Sequence, residues 1–147
     1  MSEIPTQASW LSWALLSAVF AALTAIFAKV GLEDIDSDFA TLIRTVVIAL
    51  VLALFVYTTG KWQGVSVIGG RSGFFLVLSA LATGASWVCY YRALKVGDAV
   101  KVAPVDKFSV VLVALFAVAF LGERPALRDW LGITLVALGV VLLALKR

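Results

Sequence analysis

Five long apolar runs follow one another along the chain, and most charged and turn-forming residues lie between them. Each run has about the 20 residues that an α-helix needs to cross a bilayer. We therefore predict an all-α integral membrane protein with five transmembrane helices and no separate soluble domain. The predicted spans are residues 10–30, 39–59, 72–94, 99–121 and 127–145, within a single transmembrane domain of residues 1–147.

Acidic residues and glycines mark the boundaries between the runs. One of residues 36–38 is expected to be the N-cap of the second span, and Asp98 the N-cap of the fourth. Gly122, with Pro125 just beyond it, predicts the end of the fourth span. The acidic residues between positions 33 and 38 are most simply interpreted as part of a solvated loop.

The composition supports a membrane protein and excludes several kinds of site. Hydrophobic residues make up 63% of the chain and charged residues 14%. In soluble domains, nearly half of the residues are apolar and about a quarter are charged. There is no histidine, and Cys89 is the single cysteine. An intramolecular disulfide, a Cys/His metal site and a Ser-His-Asp triad are therefore excluded. We expect no metal or cofactor, and the net charge of +3 does not indicate nucleic-acid binding.

Two opposite charges and a proline interrupt the fourth apolar run. These are Pro104, Asp106 and Lys107. A charge within the hydrocarbon costs roughly 2.5–3.5 kcal/mol on insertion scales, so it is retained where it faces a partner or a water-filled cavity. Proline removes one helical hydrogen bond, which predicts irregular backbone at the start of this helix. Irregular backbone beside ionisable groups is typical of transporter sites. The alternative for Lys107 is a side chain that snorkels to the interface.

The second and third spans contribute further candidates. Arg44 lies in the first two turns of the second span and either snorkels or turns inward to pair with an acid, of which Asp106 is the most attractive. Trp87 and Tyr91 share one face of the third span and Tyr90 lies on another, where such rings contact a small ligand or anchor the helix at the interface. The candidate substrate or coupling-ion site is Arg44, Trp87, Tyr90, Pro104, Asp106 and Lys107.

Short motifs occur in a definite order across the chain. They are Tyr91-Arg92-Ala93-Leu94, Gly97-Asp98-Ala99, the segment 102–107 and Gly122-Glu123-Arg124, with Arg44 before them and two glycines in the last span. Together they resemble the EamA family of the drug/metabolite transporter superfamily. The resemblance implies a five-helix unit that moves small metabolites or drugs across a membrane, and it implies no particular substrate. It also suggests the cytoplasmic membrane of a bacterium or archaeon.

Only one such unit is present here, whereas larger members look like two units joined with opposite orientation. A lone unit has to pair with another chain to enclose a pathway between two halves. Four Lys and Arg residues fall on the N-terminal side of the predicted spans and six on the other. The excess favours a C-terminus inside, but the bias is small. A chain so nearly balanced could insert both ways and form an antiparallel homodimer, resembling the small multidrug resistance proteins.

We therefore consider a secondary transporter that works as a dimer, with the lipid bilayer and a small-molecule substrate as partners. The alternative is an accessory membrane subunit without transport of its own, such as a component of a lipid-carrier flippase. The first span has no acidic residue, which argues against a close functional copy of the small multidrug exporters. A membrane enzyme is disfavoured, because the spans contain no nucleophile motif and no carboxylate pair.

Overall fold

The computed structural model describes residues 7–64 and 67–145, which form helices and connecting turns without a strand. Five helices in this part of the chain are long and apolar enough to cross a membrane, as predicted. The fourth is built from α4, α5 and a short π-helical segment. The helices are α1 (Gln7–Gly31), α2 (Ser37–Thr58), α3 (Gly70–Val96), α4 (Ala99–Asp106), α5 (Ser109–Phe116), the π segment (Ala117–Leu121) and α6 (Leu127–Ala144).

The chain divides into two compact units, Met1–Val96 and Gly97–Arg147. In the first unit, α3 packs against both α1 and α2. In the second unit, α6 packs against both α4 and α5. Each unit is therefore organised around the last of its long helices.

The first unit has a small core where three helix ends meet. Thr41, Tyr91 and Leu94 are buried near the start of α2 and the end of α3, together with small residues from the second half of α1. Leu32, just after α1, is 1% exposed and Leu94 is 0% exposed. Most of the large apolar side chains elsewhere are exposed. Such surfaces suit contact with lipid chains, where the backbone polar groups are already satisfied within the helices.

The predicted helix caps lie at the expected positions, but they differ in the hydrogen bonds that they make. Asp36 is the N-cap of α2, and its Oδ1 accepts hydrogen bonds from the amides of Asp38 and Phe39 at 2.9 and 3.1 Å. Asp98 is the N-cap residue of α4, as predicted, although its side chain makes no capping hydrogen bond. Gly122 follows the π segment with φ of +68°. This left-handed conformation favours glycine because it has no Cβ.

The fourth span is irregular, although not where the sequence predicted. The backbone is helical from Ala99 through Pro104, and the helix is interrupted at Lys107 and Phe108. The amides of these two residues donate to the carbonyls of Pro104 and Val105, each three residues earlier, at 3.0 Å. Pro104 has no N–H to donate to the carbonyl four residues earlier, yet the backbone stays helical through Asp106. The tighter turn at Lys107 and Phe108 divides the span.

Candidate functional site

The contact between α2 and α3 holds the guanidinium of Arg44 against aromatic rings. Its Cζ lies 3.7 Å from the centroid of the Trp87 ring and 5.5 Å from that of the Tyr91 ring. Both distances fall within the roughly 6 Å at which a cation is attracted to the negative face of an aromatic ring. The predicted candidates Arg44 and Trp87 are therefore in direct contact.

Arg44 also lines an open cleft of about 360 Å³ within the first unit. The cleft lies between the second half of α1, the first turns of α2 and Tyr91 of α3. Arg44 is the charged residue among those that line it, and the others are mainly apolar. The lining residues are Thr24, Phe27, Ala28, Gly31, Leu32, Ile35, Ala40, Ile43, Arg44 and Tyr91.

Two lysines at the same end of this unit satisfy backbone carbonyls. Lys95 Nζ donates to the carbonyls of Glu33 and Ile35 at 2.9 and 3.1 Å, and also to that of Leu32. Lys29 Nζ donates to the carbonyl of Leu94 at 2.7 Å. Each lysine lies near the C-terminus of its own helix and binds carbonyls at or just beyond the end of the other. These hydrogen bonds satisfy carbonyl groups that have no partner within a helix.

Arg92 is paired with Asp38. Its Nε and Nη2 donate to the two carboxylate oxygens of Asp38 at 2.9 and 2.6 Å. The sequence predicted Asp38 as part of a solvated loop or as a candidate helix cap, and this interpretation missed a bidentate ion pair between α2 and α3. The positions of the two residues, at the start of one span and the end of the next, could have indicated it.

Arg44 differs from these cations. Among the described residues of the first unit, no carboxylate oxygen lies within 4.0 Å of its guanidinium nitrogens, and no acceptor makes a hydrogen bond with it. In the part of the chain that the structure describes, the guanidinium contacts the faces of the two rings. Its N–H groups thus have no hydrogen-bond acceptor among these residues of the first unit.

The other predicted site residues have local partners. Asp106 Oδ2 lies 3.2 Å from Lys107 Nζ, and their side chains are 35% and 56% exposed. Pro104 is in the same short helix as Asp106. The ring of Tyr90 lies 6.4 Å from that of Tyr91. The pairing of Arg44 with Asp106 stays a prediction, since one residue belongs to each unit.

Tyr91 was not among the candidate site residues, yet it is 4% exposed and forms one wall of the cleft. Its spacing of four residues from Trp87 placed both rings on one face of a helix, which was the available signal. What the spacing left open was whether that face points to lipid or to Arg44.

Comparison with known proteins identifies the family. The model of the EamA-like transporter family matches residues 8–145. An uncharacterised transporter of Sinorhizobium sp. is 63% identical over 92% of this chain and 96% of its own length. An uncharacterised protein of Methanocaldococcus jannaschii is 25% identical over 90% of this chain and 93% of its own length.

A third relative is a probable 4-amino-4-deoxy-L-arabinose-phosphoundecaprenol flippase subunit, ArnE, of Yersinia pestis, which is 30% identical over 48% of this chain and 61% of its own length. No solved structure matches the chain. The family match spans all five transmembrane helices, and the chain belongs to the EamA-like transporter family.

Proposed function

We propose that this integral membrane protein is a secondary transporter of small metabolites or drugs, and that it acts as a dimer in the cytoplasmic membrane of a bacterium or archaeon. Membership of a transporter family and the high identity to a relative named as a transporter support the general activity. The substrate class and the dimer are our own inference.

The observation that carries the proposal is the position of Arg44. Its guanidinium lies seven residues into an apolar span and borders an open, mostly apolar cleft. A charge in such a segment is costly and is typical of substrate or ion pathways. Trp87 and Tyr91 hold the guanidinium at the cleft through their ring faces. The cleft thus combines mainly apolar walls with a few polar groups, of which Arg44 is the charged one, as small-molecule sites commonly do.

A dimer is supported by how little interior a single chain has in which to enclose a pathway. Few residues are buried within either compact unit, and lipid can cover the large apolar side chains that are exposed along every span. A chain of five spans also supplies half of what two-repeat transporters use to enclose a pathway. We propose that a second copy in the antiparallel orientation completes the pathway.

In this proposal, the fourth span supplies the coupling group. Asp106 lies at the end of α4, next to the turn that interrupts the helix, and it is paired with Lys107. A carboxylate at a discontinuity of a transmembrane helix is well suited to exchange a proton during transport. Its other proposed role is to hold Lys107 in place.

Transport is tested in proteoliposomes loaded with a mixture of small metabolites, with efflux followed by mass spectrometry. We expect one or a few compounds to leave faster than from protein-free liposomes, and Arg44→Ala to slow that efflux at equal folded amount. Arg71→Ala, at the start of α3 and outside the cleft, is the matched control and should retain the efflux. If no compound leaves faster than in protein-free liposomes, transport by this chain alone is rejected.

The comparison with the flippase subunit favours a second candidate function. That relative shares 30% identity over 70 aligned residues and is named as a subunit. In this case, the chain would be an accessory subunit that needs a different membrane protein. Purification of the tagged chain from its native membrane distinguishes the two: a stoichiometric second protein supports the accessory role, and a homodimer active in proteoliposomes contradicts it.

A further inference from the structure

We propose that the cleft around Arg44 binds an organic anion, in which a carboxylate or phosphonate-like group is attached to a compact apolar body. This inference rests on the proposed function, since it names the chemical class of the substrate that the site would take. It follows from the charge, the geometry and the walls of the cleft, each of which points to the same class of ligand.

The charge of the cleft is positive and locally uncompensated. Arg44 is the one charged residue among the lining residues, and none of them is acidic. The nearby cations are already occupied, because Arg92 binds Asp38 and Lys95 binds backbone carbonyls. A cationic ligand in the cleft would meet Arg44 without a carboxylate among the lining residues to offset the repulsion. An anion would instead supply the missing partner.

The orientation of Arg44 favours a planar or forked anionic group. The guanidinium Cζ lies over the Trp87 ring, 3.7 Å from its centroid. A guanidinium held by a ring face keeps its N–H donors in its own plane, where they match two oxygens of a carboxylate or phosphonate. The aromatic contact therefore fixes the group that recognises the anion without using its hydrogen bonds.

The side chains that line the cleft indicate the polarity and size of the rest of the ligand. Phe27, Ile35 and Ile43 are 68%, 40% and 44% exposed and supply apolar surface around the cleft. An inorganic anion would leave this surface uncovered, whereas an apolar body would cover it and add roughly 25 cal/mol per Å² of apolar area buried. The volume of about 360 Å³ lies at the lower end of small-molecule sites, so a compact metabolite fits the cleft better than a long chain.

The test uses the full-length protein in nanodiscs of phosphatidylcholine and three ligands of similar shape: phenylacetate, phenylacetamide and phenethylamine. Binding is followed by the thermal transition and by tryptophan fluorescence. We expect phenylacetate to raise the Tm by a few degrees by mass action, and the amide and amine to raise it little. Inorganic phosphate should bind more weakly than phenylacetate, because it has no apolar body.

Variants assign the effect to Arg44. Arg44→Gln should weaken phenylacetate binding by about tenfold or more, as expected for loss of charge-assisted hydrogen bonds. Arg44→Lys keeps the positive charge but loses the pair of planar N–H donors that can bind two oxygens at once, so it should weaken phenylacetate binding less than Arg44→Gln. Arg71→Gln removes a cation outside the cleft and should leave binding unchanged. Equal binding by the Arg44→Gln and Arg71→Gln variants, or no phenylacetate binding by the wild type, would overturn the inference.

A second measurement on the wild-type protein covers the case in which Arg44→Gln does not fold. Phenylglyoxal modifies arginine, and mass spectrometry reports the modified fraction of the peptide that contains Arg44. Phenylacetate should slow this modification, whereas phenylacetamide should not. Protection by added phosphatidylglycerol but not by phenylacetate would show a lipid headgroup at Arg44 and contradict the soluble anion.

Counterflow of the same three compounds in proteoliposomes separates this inference from the proposed function. Arg44-dependent binding of phenylacetate without counterflow would support the anion site and reject transport. Arg44-independent counterflow of phenethylamine would support transport and overturn the assignment of an anion. Counterflow of phenylacetate that is lost in Arg44→Gln and retained in Arg71→Gln supports both.

Discussion

At the scale of single residues, the cations of the first unit have different partners. Arg92 binds a carboxylate, Lys95 binds carbonyls, and Arg44 contacts two aromatic rings. A guanidinium suits stacking because it is planar and more weakly hydrated than an ammonium group. The choice of arginine at position 44 is thus explained by its neighbours Trp87 and Tyr91.

The contact between Arg44 and Trp87 predicts a measurable coupling. In a double-mutant cycle with Arg44→Gln and Trp87→Leu, we expect the two changes to be non-additive by roughly 0.5–2 kcal/mol, since each removes the same cation–π contact. The measurement is the free energy of unfolding in detergent. The matched cycle uses Arg71→Gln with Trp87→Leu, and these changes should be additive. Additivity in both cycles would show that the stacked contact does not contribute to stability.

At the scale of elements, α1 and α3 are joined at their C-terminal ends by reciprocal lysine hydrogen bonds. Two helix C-termini that lie close together bring their partial negative charges into proximity. Lys29 and Lys95 each supply positive charge to carbonyls of the neighbouring segment. This arrangement explains why the most fully buried side chains, Leu32 and Leu94, lie at this end of the unit. It also fixes the wall of the cleft that α1 provides.

Removal of one lysine should therefore loosen the end of α1. In Lys95→Met, we expect amide hydrogen exchange in residues 29–36 to become roughly fivefold faster, because the carbonyls of Leu32, Glu33 and Ile35 lose a charged donor. Lys101→Met, in the first turn of α4, is the control and should not change exchange in this segment. Exchange that is equally slow in both variants would argue against a role of Lys95 in holding the helix end.

At the scale of the whole molecule, a chain of 147 residues with five spans has little interior of its own. Large hydrophobic side chains are exposed on all of the spans. In a membrane, lipid covers such surfaces, and close helix contacts depend on small residues and on packing rather than on the hydrophobic effect. A partner chain is then the means by which a cavity can be enclosed away from lipid.

The antiparallel dimer predicts two orientations in one membrane. In a Cys89→Ser background, we expect Gln63→Cys and Val96→Cys each to react with an impermeant thiol reagent from both faces, because the small difference in Lys and Arg between the two sides directs insertion weakly. The control is a cysteine protein of known single orientation in the same vesicles. Labelling of each position from one face only would reject dual topology.

The sequence was sufficient for the five spans and for several of their ends. Long apolar runs specify helices in a bilayer because each helix satisfies its own backbone hydrogen bonds, without help from distant residues. The caps at Asp36 and Gly122 depend on nearby backbone and were confirmed. Asp98 also lies at the predicted N-cap position, although its side chain makes no capping hydrogen bond.

The order of apolar and polar residues thus predicted a five-span helical fold and the polar residues that interrupt it. Helix packing was needed to show which of these residues meet: Arg44 with Trp87 and Tyr91, Arg92 with Asp38, and Lys95 with the end of α1. The two kinds of feature depend on interactions over different distances along the chain. Helix formation depends on neighbours within one or two turns, whereas these contacts join residues more than 40 positions apart and require helices to pack in a particular rotation.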